Sequence, residues 1–211
     1  VHAFIAYGLG RTGLSRMHYA GVQVHGFADA NDLWLGVRDL VKLPLANRRL
    51  IWIYYGEIDT LSHRHGPDSD QVRRALASFV SQMGARFIRE VPRELASDIV
   101  LVLLADHGQI ATSPDPHFDL MTHPGFARRL HLPPTGENRL AYVYARPGHV
   151  QAAVDYLTKN WPGAFRLLLS GHALEAGLFG PGKPCRNAAS RLGDLILTAE
   201  GIYVARDALG R

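Results

Sequence analysis

Two apolar runs rich in β-branched residues break off abruptly into residue types that bind metals. Residues 50–55, LIWIYY, lead through Gly56, Glu57 and Ile58 to Asp59 and His63, and residues 99–104, IVLVLL, lead through Ala105 to Asp106 and His107. A short unbroken apolar run reads as a strand buried on both faces, because a half-buried strand alternates. Both runs are therefore expected to be central strands of a covered sheet. In open α/β sheets ligands gather beyond the carboxyl ends of the strands, which is where Asp59 and Asp106 fall.

The sequence between the runs supplies the connection. Gly66, Pro67, Asp68 and Ser69 read as a turn and helix cap, and Val72, Leu76, Phe79, Val80, Met83, Phe87 and Ile88 recur at three and four. That spacing predicts a helix to about Glu90, ending before Pro92. The resulting strand-helix-strand unit has a right-handed crossover and presents both carboxyl ends on one side. Asp59 and Asp106 can thus approach one site. Asp and His donors suit zinc or manganese, and two ions can clamp the attacking and leaving oxygens of a phosphoryl transfer. The plainer reading makes Asp59 a cap and Asp106-His107-Gly108 a turn; the occurrence of both motifs after two apolar runs favours metal chemistry.

Elsewhere, residues 2–7 and 22–27 read as strands, the first followed by a turn at Gly8, Gly10 and Gly13 that lacks a Walker lysine. Asp29, Asn31 and Asp32 are candidate caps for a helix through Leu40 whose apolar face carries Leu33, Val37, Leu40 and Val41. From Pro133 to Arg139 the composition becomes turn-like. Strand, helix and strand patterns follow at 140–146, 149–159 and 165–170, then a Gly- and Pro-rich loop at 180–191 and a hairpin of 194–199 with 202–205 about Glu200-Gly201. The expected organisation is a partial core over 1–132, an inserted α+β subdomain over 133–192 that could equally be the edge of the main sheet, and a return to the core over 193–211.

Apolar residues make up 47% and charged residues 20% of the 211 positions, as in a soluble globular protein. The net charge of +4 is dispersed, which argues against a nucleic-acid stripe. One cysteine, Cys185, excludes an internal disulfide and a Cys-based zinc site. No apolar run approaches the roughly 20 residues of a membrane helix, and no leader pattern opens the sequence. A soluble, cytoplasmic setting is the expectation, the compartment of any longer parent being open.

The string Tyr54-Tyr55-Gly56-Glu57-Ile58-Asp59, then His63, Gly66, Pro67 and Ser69, with Asp106-His107-Gly108 beginning 47 positions after Asp59, resembles the type I phosphodiesterase/nucleotide pyrophosphatase family of the alkaline phosphatase superfamily. The resemblance implies an alkaline-phosphatase-like α/β fold, a mostly parallel sheet sandwiched by helices with a small α+β subdomain. It implies one metal on Asp59 and His63, another on Asp106 and His107, and a small phosphodiester or nucleotide substrate. It further implies a Thr or Ser nucleophile near the N-terminus of the whole enzyme and a third histidine near its C-terminus. Neither can be assigned in this chain, which is expected to be a C-terminal portion unable to turn over substrate alone. Two positions depart from the family pattern: Ile58 stands where Pro is usual, and Ser62 where Gly is usual. His65 is a candidate substrate contact, whereas His117, His123 and His131 are expected to be solvated loop residues. Rival readings are a phosphomonoesterase, phosphoglycerate mutase or sulfatase of the same superfamily, or a non-catalytic metal-binding domain.

Overall fold

The computed structural model describes residues 1–44, 47–112 and 115–201. The chain divides into two compact units, Val1–Ile110 and Ala111–Arg211. In the first, β1 (His2–Ala6) lies between β2 (Gln23–Phe27) and β3 (Ile51–Tyr54), both parallel to it. Parallel neighbours cannot be joined by a tight turn, so helices carry the chain back. Helix α1 (Gly13–His18) starts where the Thr12 hydroxyl accepts from Ser15 N, and α2 (Ala30–Lys42) where Asp29 accepts from Asp32 N. Of the three candidate caps, Asp29 is the one used.

Leu33, Trp34, Val37 and Leu40 form the buried stripe of α2 and meet Phe4 and Phe27 of the sheet. Helix α3 (Glu57–His65) follows β3, and α4 (Asp70–Gln82) follows α3. The helix expected to reach Glu90 widens into a π-helical turn at Met83–Ile88, then α5 (Arg93–Ala96) begins after Pro92. Phe79 from α4 and Phe87 from the wide turn pack on the Trp34 ring at centroid distances of 5.4 and 5.7 Å.

The expectation of two central strands is corrected. Among the described residues β3 is an edge strand, with Trp52 and Tyr54 about half exposed. Residues 100–104 form no strand among the described residues, and Val100 is 88% exposed. Apolar character reports the environment a run prefers, but a strand exists only where a neighbouring backbone completes its ladder. β1, flanked on both sides, takes the central place: Ala3, Phe4 and Ile5 are buried.

The second unit holds β4 (Leu130–Glu137), β5 (Leu140–Ala145), β6 (Phe165–Leu169) and β7 (Leu195–Ala199), antiparallel in the order β4-β5-β7-β6. Helices α6 (Pro124–Ala127) and α7 (Val150–Asn160) pack Phe126, Ala153 and Leu157 against Val143, Leu195 and Leu197 of this sheet. Short helices α8 (Ser170–Glu175) and α9 (Ala188–Leu192) complete it, and Cys185 is exposed. The turn-like segment at Pro133 proves to be strand. An edge strand tolerates proline because its outer N–H groups need no ladder partner, and the register shifts between Leu130 and Thr135 mark where pairing is irregular. Gly136, at φ +112°, permits the close hairpin: a Cβ there would lie 2.4 Å from the Leu140 carbonyl oxygen. The second arm of the hairpin expected at 202–205 lies outside the described residues.

Trp34 is 2% exposed, and its indole N–H has no partner among the described residues. Trp34→Ala should cost about 3–5 kcal/mol by chemical denaturation. Trp34→Phe should cost much less, because it removes a buried donor that satisfies nothing.

Candidate functional site

The chain leaves β3 at Tyr54 and turns through Tyr55 and Gly56 into α3. Glu57 and Asp59 occupy the first turn, where negative charge complements the helix dipole, and His63, Arg64 and His65 occupy the last. Asp59 and His63 are four residues apart and therefore share a face. Asp59 Oδ1 lies 3.4 Å from His63 Nε2. The departures at Ile58 and Ser62 meet each other: Ser62, buried, donates its hydroxyl to the Ile58 carbonyl at 2.8 Å. Gly66, at φ +86°, ends α3, and Ser69 accepts from Val72 N to start α4.

The second pair stands on irregular chain. Asp106 Oδ2 is 3.7 Å from His107 Nε2, and His107 Nδ1–H donates to the Gly108 carbonyl at 2.9 Å. In the neutral ring that bond puts the proton on Nδ1 and the lone pair on Nε2, the state a metal ligand needs. Gln109 reaches back to the first pair, its Nε2 donating to Asp59 Oδ1 at 2.7 Å. Residues 59 and 109 are thereby joined across 50 positions.

Two donors on one tetrahedral zinc lie about 3.3 Å apart, given bonds of ~2.0–2.1 Å. Each Asp–His pair has the chemistry and nearly the spacing of two such ligands. Among the described residues no three His, Cys, Asp or Glu side chains group around a common point, so each pair presents two donors rather than a closed ligand set. All four side chains are substantially exposed.

His65 is exposed and, about 200° around α3 from His63, projects from the opposite face. His117 and His131 are exposed as expected. His123 is not: half-buried, its ring stands 4.5 Å from that of Trp161, its Nε2–H donates to the His117 carbonyl at 3.1 Å and its Nδ1 lies 3.4 Å from the Tyr156 hydroxyl. That arrangement is a packing role, which isolated loop position could not reveal.

Sequence reasoning assigned no role to Gln109, which directly follows the second motif, or to Tyr55, which lies within the first. Tyr55 donates to the Glu57 carboxylate, and Asp29, Asn31, Tyr55, Glu57, Ser78 and Gln82 line a polar recess of about 220 Å³. Burial, then the Glu57 carboxylate beside it, raises the Tyr55 phenol well above its ordinary value.

Parallel strands joined by helical crossovers, with polar side chains beyond the strands' carboxyl ends, define an α/β fold in the first unit. The fold matches murine ectonucleotide pyrophosphatase/phosphodiesterase 5, solved as an inactive threonine-to-alanine variant in complex with AMP, with a TM-score of 0.65 at 16% identity. The match covers 97% of this chain and 52% of that one, so the chain spans about half the length of that relative. Residues 20–209 match the family model described as type I phosphodiesterase/nucleotide pyrophosphatase, and the chain belongs to that family. No curated protein matches it.

Because the folded Tyr55 pKa is raised, its contribution to stability is full below the unfolded value of about 10 and is lost as pH rises above it. Denaturation midpoints should fall more steeply above pH 10 in the parent than in Tyr55→Phe, and equal slopes would refute the assignment.

Proposed function

We propose that the chain carries the metal-binding half of a two-metal hydrolase of phosphoric diesters or nucleotide pyrophosphates. Family membership supports hydrolysis of that type; the observation that carries the metal reading is the pair of Asp–His couples at ligand spacing, linked by Gln109. Asp59 and His63 would hold one ion and Asp106 and His107 the other, zinc first and manganese second. Such ions, when bound, stabilise charge on the nucleophile and on the non-bridging and leaving oxygens.

The chain's own residues prepare that chemistry. The carboxylates of α3 sit in its first turn, at the positive end of the helix. Gln109 holds Asp59 Oδ1, fixing the carboxylate's orientation, and the Gly108 carbonyl fixes the His107 tautomer. The Thr or Ser nucleophile is not identified among these residues, and His65 is kept as a candidate substrate contact. The AMP bound by the murine relative favours a nucleotide as the substrate.

Elemental analysis after equilibration with zinc should find about two ions per chain, falling by one in Asp59→Ala and by the other in Asp106→Ala. Gln109→Ala should weaken zinc about 10- to 100-fold at the first pair, the usual effect of removing an outer-shell partner. A well-folded chain that takes up no zinc or manganese would overturn the reading. Hydrolysis of an aryl phosphodiester by these 211 residues should be negligible; efficient turnover would mean a nucleophile among them or direct attack by water.

A further inference from the structure

The loop between α8 and α9 holds two exposed apolar side chains on a well-bonded turn. At the end of α8 the Gly177 amide donates to the Leu174 carbonyl and the Leu178 amide to the Ala173 carbonyl, each at 3.0 Å. Gly177, at φ +71°, supplies the left-handed residue that this helix ending requires. The Gly180 amide then donates to the Gly177 carbonyl at 3.1 Å, which places Leu178 and Phe179 at the two corners of a turn. At helix ends of this kind an apolar residue after the glycine commonly folds back onto the helix. Here Leu178 is 60% and Phe179 47% exposed.

The rest of the loop is basic. From residue 176 to residue 193 the charged side chains are Lys183, Arg186 and Arg191, with no Asp or Glu between them. All three are exposed, and none forms an ion pair among the described residues. Glu175, at the end of α8, and Asp194, whose carboxylate accepts from the Ala145 amide, flank the stretch. Its far end is fixed to the second unit: the Tyr144 hydroxyl donates to the Arg191 carbonyl at 2.7 Å, and the buried Ser170 hydroxyl to the Leu192 carbonyl at 3.0 Å. Because a chain advances at most about 3.6 Å per residue, Lys183 stays within about 14 Å of Phe179 along the backbone.

We propose that this loop docks the protein on an anionic lipid surface, with Leu178 and Phe179 entering the boundary between headgroups and acyl chains and Lys183, Arg186 and Arg191 facing the anionic headgroups. Taking the two exposed apolar side chains out of water is favourable. Basic residues near an anionic leaflet add an attraction that acts within a Debye length. Reversible surface binding combines these two contributions. A polyanion in water would pair with the cations and leave Leu178 and Phe179 exposed, so the apolar tip favours lipid. The contact belongs to the second unit and uses none of the Asp–His residues.

Flotation of the 211-residue chain with lipid vesicles tests it. Vesicles of phosphatidylcholine with phosphatidylserine should bind the chain about tenfold more tightly than phosphatidylcholine alone. Raising the salt from ~0.1 M to ~1 M should remove most of that difference, as the Debye length falls from about 10 to about 3 Å. The double variants Leu178→Ser/Phe179→Ser and Lys183→Gln/Arg186→Gln should each weaken binding about tenfold. Their denaturation midpoints should match the parent, because all four side chains are exposed. Phe179→Trp should add fluorescence that brominated acyl chains quench beyond any quenching of the parent. Failure of the folded parent to bind anionic vesicles overturns the proposal, and retention on polyglutamate or single-stranded DNA in that case assigns the loop to a polyanion. Vesicle binding that Leu178→Ser/Phe179→Ser leaves intact also overturns it, as charge attraction alone, and so does the absence of added quenching in Phe179→Trp.

Discussion

The parallel pairing of β1 with β2 and β3 is the constraint on which the first unit depends. A parallel ladder requires a crossover, and each crossover must bury an apolar face. The faces supplied by α2, α4 and the π-helical turn converge on Trp34, which packs against Phe79 and Phe87. The same constraint makes successive strands end on one side. Side chains beyond those ends, including Asp29 after β2 and Asp59 after β3, are consequently free of the core's demand for apolar character.

α3 shows how a local device serves the site. The placing of Asp59 and His63 on one face follows from helical geometry, and its acidic first turn complements the helix dipole. The buried Ser62 hydroxyl bonds back to the Ile58 backbone carbonyl within the same helix. The second pair has no such helix. Gln109, two residues beyond it, bonds back to Asp59, and residues 100–104 before it have no ladder among the described residues.

The parallel strands, the helix capped by Asp29 and the helix begun at Ser69 were legible because apolar spacing and capping chemistry are local. The π-helical widening was not, since it leaves the three-and-four repeat intact. The strand containing Pro133 and Pro134 was hidden by turn-like composition that an edge position tolerates. His123 was misjudged because its partners, Tyr156 and Trp161, are more than thirty residues away.

By itself the sequence determined the family signature, the donor types and the pairing of Asp59 with His63, for these depend on residue identity and on spacings a helix reproduces. Only the tertiary structure decided which strand is central, where Gln109 and Tyr55 act, and that the second apolar run has no ladder among the described residues. A run's composition records what it would bury; a neighbouring backbone determines whether it does.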